Sequence, residues 1–273
     1  MIRLAIRVRR EQAEIALAEL LELVPDGVEE IDLGDEIEYA VYGAPGELPQ
    51  LPALQAAVGG ALVDVSTTEV PDDWSERWKL FHRPLVVSQR LYVRPPWEPA
   101  RPDLIDLVID PGQAFGTGAH ATTRLVLELL LEVPNPQGRL VDLGAGSGVL
   151  GLAGAKIGFC PVLAVDNDPR SLAATSDNAR ANKVKIDLAR VDLKRDPIPS
   201  APTVLANLVT PLLIELAPRL PNPLPRCLIV SGVLSTEASR VAEAFAARGM
   251  AVKSSREQNE WTAIVLVPQS GLG

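Results

Sequence analysis

The chain has 273 residues, with 26 Lys plus Arg against 35 Asp plus Glu for a formal net charge of −9; 47% are hydrophobic and 22% charged. These are the proportions of a packed chain and not of a disordered one. The acidic balance argues against nucleic-acid binding, which rests on neutralising phosphates with Lys and Arg, and would suit a basic partner. Two cysteines, Cys160 and Cys227, are too few for a disulfide framework or a cysteine zinc site, so no metal is expected. No apolar run reaches the roughly 18–20 residues of a membrane span, and the opening MIRLAIRVRREQAE lacks the apolar stretch of a secretory signal. A soluble cytoplasmic protein of about two domains is the expectation.

The first seventy residues predict a small domain. Ile2–Val8 alternates as a half-buried strand does, and Glu11–Leu23 sets Ile15, Ala16, Ala18, Leu20 and Leu23 among acidic residues as a one-sided helix. Val28–Leu33 and Glu36–Tyr42 flank Gly34–Asp35 as a hairpin, Leu51–Val58 predicts a second helix, and Ala61–Glu69 a last strand. The order βαββαβ is that of a ferredoxin-like α+β unit. Residues 71–102 predict a linker: Asp72–Phe81 carries Trp74 and Trp78 at i, i+4, either a packed linker helix or a wall of a substrate cleft. Leu85–Val93 predicts one strand, and prolines follow.

Residues 103–273 alternate strands with helices. Strands are predicted at Arg139–Leu143, Pro161–Val165, Lys185–Val191, Thr203–Leu208, Cys227–Ser231, Ala251–Ser255 and Trp261–Val267. Helices are predicted at Val149–Ile157, Arg170–Asn182, Pro211–Leu220 and Thr236–Arg248. Several strands are apolar throughout, as in a sheet covered on both faces. The pattern implies a doubly wound, mostly parallel seven-stranded Rossmann-like α/β sheet, closed by an antiparallel hairpin around the polar stretch Ser254–Glu260.

The strongest local signal is LVDLGAGSG over residues 140–148, which ends a strand and opens a helix. Gly144, Gly146 and Gly148 permit a tight turn and close approach of a ligand to the backbone. The spacing is GxGxG, with Val149 where the dinucleotide fingerprint needs its last glycine. Asp142 would repel a pyrophosphate and welcome a cationic ligand. Asp166, 22 residues after Gly144, ends the second strand and can hold a ribose diol. A plain tight connection and a nicotinamide dinucleotide site are the competing readings.

Asn207 ends the fourth strand and faces the same mouth, where its side-chain carbonyl can accept a hydrogen bond from an attacking amine; capping of a strand end is the alternative. Leu-Val-Thr follows it, not the Pro-Pro-Tyr of an amide-and-aromatic clamp. Before the sheet lies DPGQAFGTGAHATT, residues 110–123. Its Gly116–Gly118 loop predicts mobility, and Phe115 can cover a ligand. Thr122 and Thr123 are natural N-caps, and His120 is either a base or a residue that orders the loop.

Together DDWSERWKLFHRP, DPGQAFGTGAHATT, VDLGAGSGVLGLAGAKIG, AVDNDP, ANLV and SGVLSTEA resemble the PrmA family, the ribosomal protein L-eleven methyltransferases, over nearly the whole chain. The resemblance implies a class I methyltransferase that uses S-adenosylmethionine and releases S-adenosylhomocysteine. It implies cofactor contacts at Thr123, Gly144, Asp166 and Asn207, with Gly146 in the same loop and Phe115, His120 and Asp142 as further candidates. The substrate would be a ribosomal protein of the large subunit, methylated at lysine side chains and the N-terminal amine by a monomer. Ala145 stands where that family more often has Cys. A lysine methyltransferase with another basic target, a nicotinamide-dependent oxidoreductase and a non-catalytic adaptor are the alternatives.

The charge is unevenly placed. Residues 1–70 hold 4 Lys/Arg and 14 Asp/Glu, a net of −10, and residues 71–273 hold 22 and 21, a net of +1. Either this is a solvated acidic surface or it steers a lysine-rich partner.

Overall fold

A computed structural model describes residues 2–13, 16, 17, 20, 28–43, 48, 49, 62–69, 84–110, 120–134 and 136–269. By its contacts the chain divides into two compact units, Met1–Phe81 and His82–Gly273. The predicted helix Leu51–Val58, the Trp74/Trp78 segment, His82, Phe115 and the Gly116–Gly118 loop lie outside the described residues.

In the first unit β1 (Ile2–Arg9), β2 (Glu29–Asp32), β3 (Glu36–Gly43) and β4 (Leu62–Glu69) form an antiparallel sheet in the order β2-β3-β1-β4. That is the strand order of the βαββαβ unit. Alternation places Leu4, Ile6 and Val8 on one face, where they pack with Ala13, Ala16 and Leu20 from the helical stretch after β1. Tyr39 is buried in the same core and its hydroxyl donates to the Ala13 carbonyl at 3.0 Å. Arg3 and Arg7 both donate to Glu38, at 2.5 and 2.7 Å, and hold its carboxyl below the usual carboxylate range.

The second unit opens with a three-stranded sheet, β5 (Leu85–Val87), β6 (Leu91–Arg94) and β7 (Ile105–Val108). The single strand expected over Leu85–Val93 is therefore a hairpin. Ser88 and Gln89 turn the chain with φ of +48° and +53°, and Arg90 N–H donates to the Val87 carbonyl at 3.0 Å. This is a β-turn with positive φ at both central residues, set in a three-residue connection between the paired Val87 and Leu91, without the Asn-Gly that would announce it. Val87, Leu91, Val93 and Leu107 are buried in the core of this unit.

The main sheet has seven strands: β8 (Leu140–Leu143), β9 (Val162–Asp166), β10 (Asp187–Arg190), β11 (Thr203–Asn207), β12 (Cys227–Leu234), β13 (Met250–Gln258) and β14 (Trp261–Pro268). Their order is β10-β9-β8-β11-β12-β14-β13, parallel except for β14. Helices α1 (Ala121–Leu131), α2 (Val149–Ile157), α3 (Pro169–Asn182), α4 (Thr210–Leu216) and α5 (Ala238–Ala247) cover it. Successive residues in a strand serve opposite layers. Leu140, Leu205 and Ile229 join the core that includes Leu125, Leu130 and Leu152 of α1 and α2. Val141, Val204 and Leu228 join the one that includes Leu213, Val241 and Phe245 of α4 and α5. Pro218 ends α4 early, and Ala217–Arg219 tightens into a 3-10 turn. Arg256–Gln258, expected between the last two strands, extends β13 instead; β13 is the sheet's edge strand, so polar residues face water without cost.

The chain runs outward from β8 through β9 to β10, then returns to place β11 on the other side of β8. The order reverses between β8 and β11, and the crevice outside their carboxyl ends is where ligands bind in such sheets. Among the described residues no helix is long and apolar enough to cross a membrane.

The hairpin turn yields a first expected outcome. Replacing Ser88-Gln89 by Asn-Gly relieves two side chains of left-handed backbone and should raise stability by about 1 kcal/mol. Urea unfolding checks this through the transition midpoint; an unchanged or lower midpoint contradicts the turn assignment.

Candidate functional site

A cavity of about 280 Å³ lies at the reversal point, lined by Thr123, Gly144, Gly146, Asp166 and Asn207 together with Ala145, Leu150, Ser171, Asp192, Lys194 and Leu212. Five residues singled out in the sequence thus converge from three strand ends and one helix. Gly144, Gly146 and Gly148 all adopt left-handed backbone, with φ of +74°, +55° and +81°. A Cβ on Gly144 would lie 2.5 Å from Leu208 Cδ2, so a side chain there is disfavoured by the left-handed backbone and would also have to displace Leu208.

The loop is braced from behind. Gly144 and Ala145 N–H both donate to the Val165 carbonyl, at 2.9 and 3.0 Å. On α3, Thr175 Oγ1 donates to the Gly146 carbonyl at 2.9 Å and Asn178 Nδ2 to the Ser147 carbonyl at 2.9 Å. Asp166 accepts from Gly146 N–H through one oxygen and from Asp168 N–H through the other, both at 3.0 Å. A carboxylate has about four acceptor sites. These two bonds fix the Asp166 plane and leave lone pairs for two hydroxyl donors from the half-buried side.

Asp142 is placed differently from expectation. It is fully buried beneath the loop and is not among the cavity-lining residues. One oxygen accepts from Gly151 N–H in the first turn of α2 at 2.8 Å, while Oδ1 has no hydrogen-bond partner among the described residues. Its proximity to the glycines in sequence reflects support of the helix start, a donor that would otherwise go unpaired. Burial, opposed by the Gly151 bond and aided by the Asp166 charge, pushes its carboxyl up to about 7.

Thr122 and Thr123 were expected to cap α1. The cap is His120 instead: its Nδ1 accepts from Thr122 N–H at 3.4 Å. Both threonines lie in the first turn of α1, buried, and their hydroxyls each receive a hydrogen bond from Asn207 Nδ2 at 3.3 Å. His120 Nδ1 also meets Thr122 Oγ1 at 2.8 Å. Because that nitrogen accepts from a backbone amide, the Thr122 hydroxyl donates to it and offers only lone pairs to Asn207. The network thereby assigns Nδ2 to the threonines and leaves Oδ1 as the acceptor of the amide, on a residue that lines the cavity. His120 is not among the cavity-lining residues; its ring packs edge-on to Trp261 at 5.1 Å between centroids.

Three contributions were invisible to motif reading. Asp192 and Lys194 follow β10, and the rule of strand carboxyl ends could have found them. Thr175 and Asn178 act on the loop from about thirty residues away, with no local signal. Gly232, at φ +82°, lies so close to the chain after Asn207 that a Cβ there would stand 2.3 Å from the Leu208 carbonyl oxygen. That contact gives the SGVL stretch its role in holding the Asn207 strand end. Among the described residues no three His, Cys, Asp or Glu side chains group as a metal site would require.

Asp142 supplies a pH test. The native carboxyl keeps its proton up to about pH 7, whereas in the unfolded chain it ionises near pH 4. Between these values the native state binds more protons, so this group's contribution to stability is lost as pH rises through the window. Asp142→Asn is expected to lose less stability than the unmodified chain between pH 5 and pH 8, measured by urea unfolding; equal losses refute the assignment.

Comparison with known proteins agrees with this geometry. Residues 48–269 match the family described as Ribosomal protein L11 methyltransferase (PrmA). A ribosomal protein L11 methyltransferase of Syntrophotalea carbinolica is 36% identical over 271 residues, covering 91% of this chain and 86% of that protein. One of Bordetella parapertussis is 34% identical over 303 residues, covering 96% and 97%. The crystal structure of a ribosomal protein L11 methylase from Lactobacillus delbrueckii subsp. bulgaricus superposes with a TM-score of 0.64 at 27% identity, over 68% of this chain and 99% of that one. With a family match across most of its length and a cavity where class I methyltransferase sheets reverse, the chain belongs to the ribosomal protein L11 methyltransferase (PrmA) family.

Proposed function

We propose that the protein transfers methyl groups from S-adenosylmethionine to amino nitrogens of a ribosomal protein of the L11 type, at lysine side chains and the N-terminal amine. The observation that carries this reading is the convergence of the Asp166 carboxylate, the Gly144–Gly146 backbone and the Asn207 amide on one cavity. The two remaining acceptor positions of Asp166 suit a ribose diol. The Asp192 carboxylate suits an exocyclic amine. Among the described residues the lining carries two carboxylates, Asp166 and Asp192, against one cation, Lys194, which fits a nucleoside of positive charge better than a dinucleotide.

When bound, S-adenosylmethionine supplies an electrophilic methyl group on a sulfonium. The chain's own part is positioning and exclusion of water. An amine with a pKa near 10.4 is neutral about once in 2,500 molecules at pH 7, and a dry site beside positive charge favours the neutral form. Asn207 Oδ1 accepts an N–H of that neutral amine and turns its lone pair to the methyl. His120, with Nδ1 engaged at the start of α1, serves as a structural cap and not as the base. In this reading residues 1–70 recognise the substrate, residues 71–102 link, and residues 103–273 catalyse.

Asn207→Ala should lower turnover about 100-fold with cofactor affinity less affected, the scale expected when a reacting group loses its orientation. His120→Ala should keep its turnover profile across pH 6–9. Methyl incorporation into purified L11, followed by mass spectrometry, reads both; a His120→Ala enzyme that loses turnover while Asn207→Ala keeps it would overturn the assignment. Asp166→Ala should abolish S-adenosylmethionine binding by calorimetry. The −10 charge of residues 1–70 should make association with L11 slow markedly as salt rises from 50 to 300 mM; a salt-independent rate removes the steering role.

A further inference from the structure

A second cavity, of about 460 Å³, opens at the opposite end of the main sheet. Thr203 and Cys227, the first residues of β11 and β12, line it. Asn207, at the other end of β11, lies roughly 13 Å away by strand rise. The volume is in the range of small-molecule sites, which combine apolar walls with a few polar groups. Here the apolar lining that reaches the opening is Val133 and Pro134 with the edges of Val265 and Val267, set over Leu129, Phe159 and Ile229 of the buried core. Burial pushes the Cys227 thiol up, and the nearby Lys253 acts in the other direction.

The charges around this cavity do not balance. Glu132 is matched by Arg256 at 2.8 Å, and the Leu131 carbonyl at the end of α1 receives Arg90 Nη1 at 2.7 Å. Arg226 and Lys253 also line the cavity, and neither has a carboxylate within ion-pair distance among the described residues. Both are exposed, so they are solvated cations at the edge of an apolar recess. An apolar recess with two cations at its edge is complementary to one kind of small molecule, an amphipathic monoanion.

We propose that this cavity binds a small apolar carboxylate, its tail against Val133, Pro134 and Val267 and its head between Arg226 and Lys253. The site is independent of the methyl-transfer cavity, and the proposal does not rest on the assigned reaction.

Octanoate is the probe, and octan-1-ol is its uncharged counterpart of equal tail length. The chain has two cysteines, and Cys160 is exposed. In full-length Cys160→Ser protein, the rate of Cys227 alkylation by a maleimide therefore reports on occupancy. Octanoate is expected to slow that reaction, with a preference over octan-1-ol of about tenfold in half-effective concentration, the scale of a charge-assisted hydrogen bond. Arg226→Gln with Lys253→Gln should erase the preference while leaving protection by the alcohol. Calorimetry on the unmodified chain, with all side chains in place, should give the same order of affinities. A preference under threefold on the unmodified chain, or no octanoate binding up to about 1 mM, overturns the proposal.

Discussion

The segment between β8 and α2 is largely buried, and the way its amides are paired determines the shape of the cavity at the β8–β11 reversal. A buried backbone group left without a partner costs about 1–3 kcal/mol, and this short stretch carries several. The Val165 carbonyl takes two of the N–H groups, Asp166 takes that of Gly146, and Asp142 takes that of Gly151. The carbonyls of Gly146 and Ser147 are met by Thr175 and Asn178. The same helix reaches further: Asn182 bonds both the N–H and the carbonyl of Val108, and Asn178 bonds Asp110 N–H. One amphipathic helix with a buried polar seam therefore clamps the glycine turn on one side and the small sheet on the other. The loop is preorganised by protein groups before any ligand arrives.

Around that fixed turn the sheet divides its labour by direction. The carboxyl ends of β8, β9, β10 and β11 supply Gly144, Asp166, Asp192 and Asn207 to one crevice. The amino ends of β11 and β12 border the other cavity. Helix α1 bridges the two, presenting Thr123 to the first through its opening turn and Leu129 to the second through its last. An antiparallel β14 between β12 and β13 completes the sheet and brings Trp261 against His120.

The parts of this arrangement that were legible in the sequence are those where a residue type is forced by its own backbone or strand end. The glycine turn, Asp166 and Asn207 fall in that class, as do the parallel strands that read as continuous apolar runs. Asp142 was legible as important but misread in direction: an acid next to a ligand loop can face the ligand or the helix behind it, and sequence spacing is the same for both. Thr122 and Thr123 had the composition of caps, yet the cap fell to His120 because the threonine hydroxyls are needed by Asn207, 84 and 85 residues away. Thr175, Asn178 and Asn182 looked like ordinary polar helix positions, since their partners are distant in the chain. The Ser88-Gln89 turn was missed for the opposite reason: its conformation is imposed by the pairing of Leu85 with Val93 and Val87 with Leu91, without glycine or asparagine to mark it.

In the proposed reaction the locked amide of Asn207 has a consequence for how far methylation of one nitrogen can proceed. With Nδ2 committed to Thr122 and Thr123, the group can only accept toward the cavity. A neutral primary amine offers two N–H bonds to such an acceptor, a monomethylated amine one, and a dimethylated amine none. The first two additions can thus share one mode of alignment, whereas a third must be aligned by shape alone. Successive products on a single nitrogen are therefore handled unequally by a site whose polar geometry does not change.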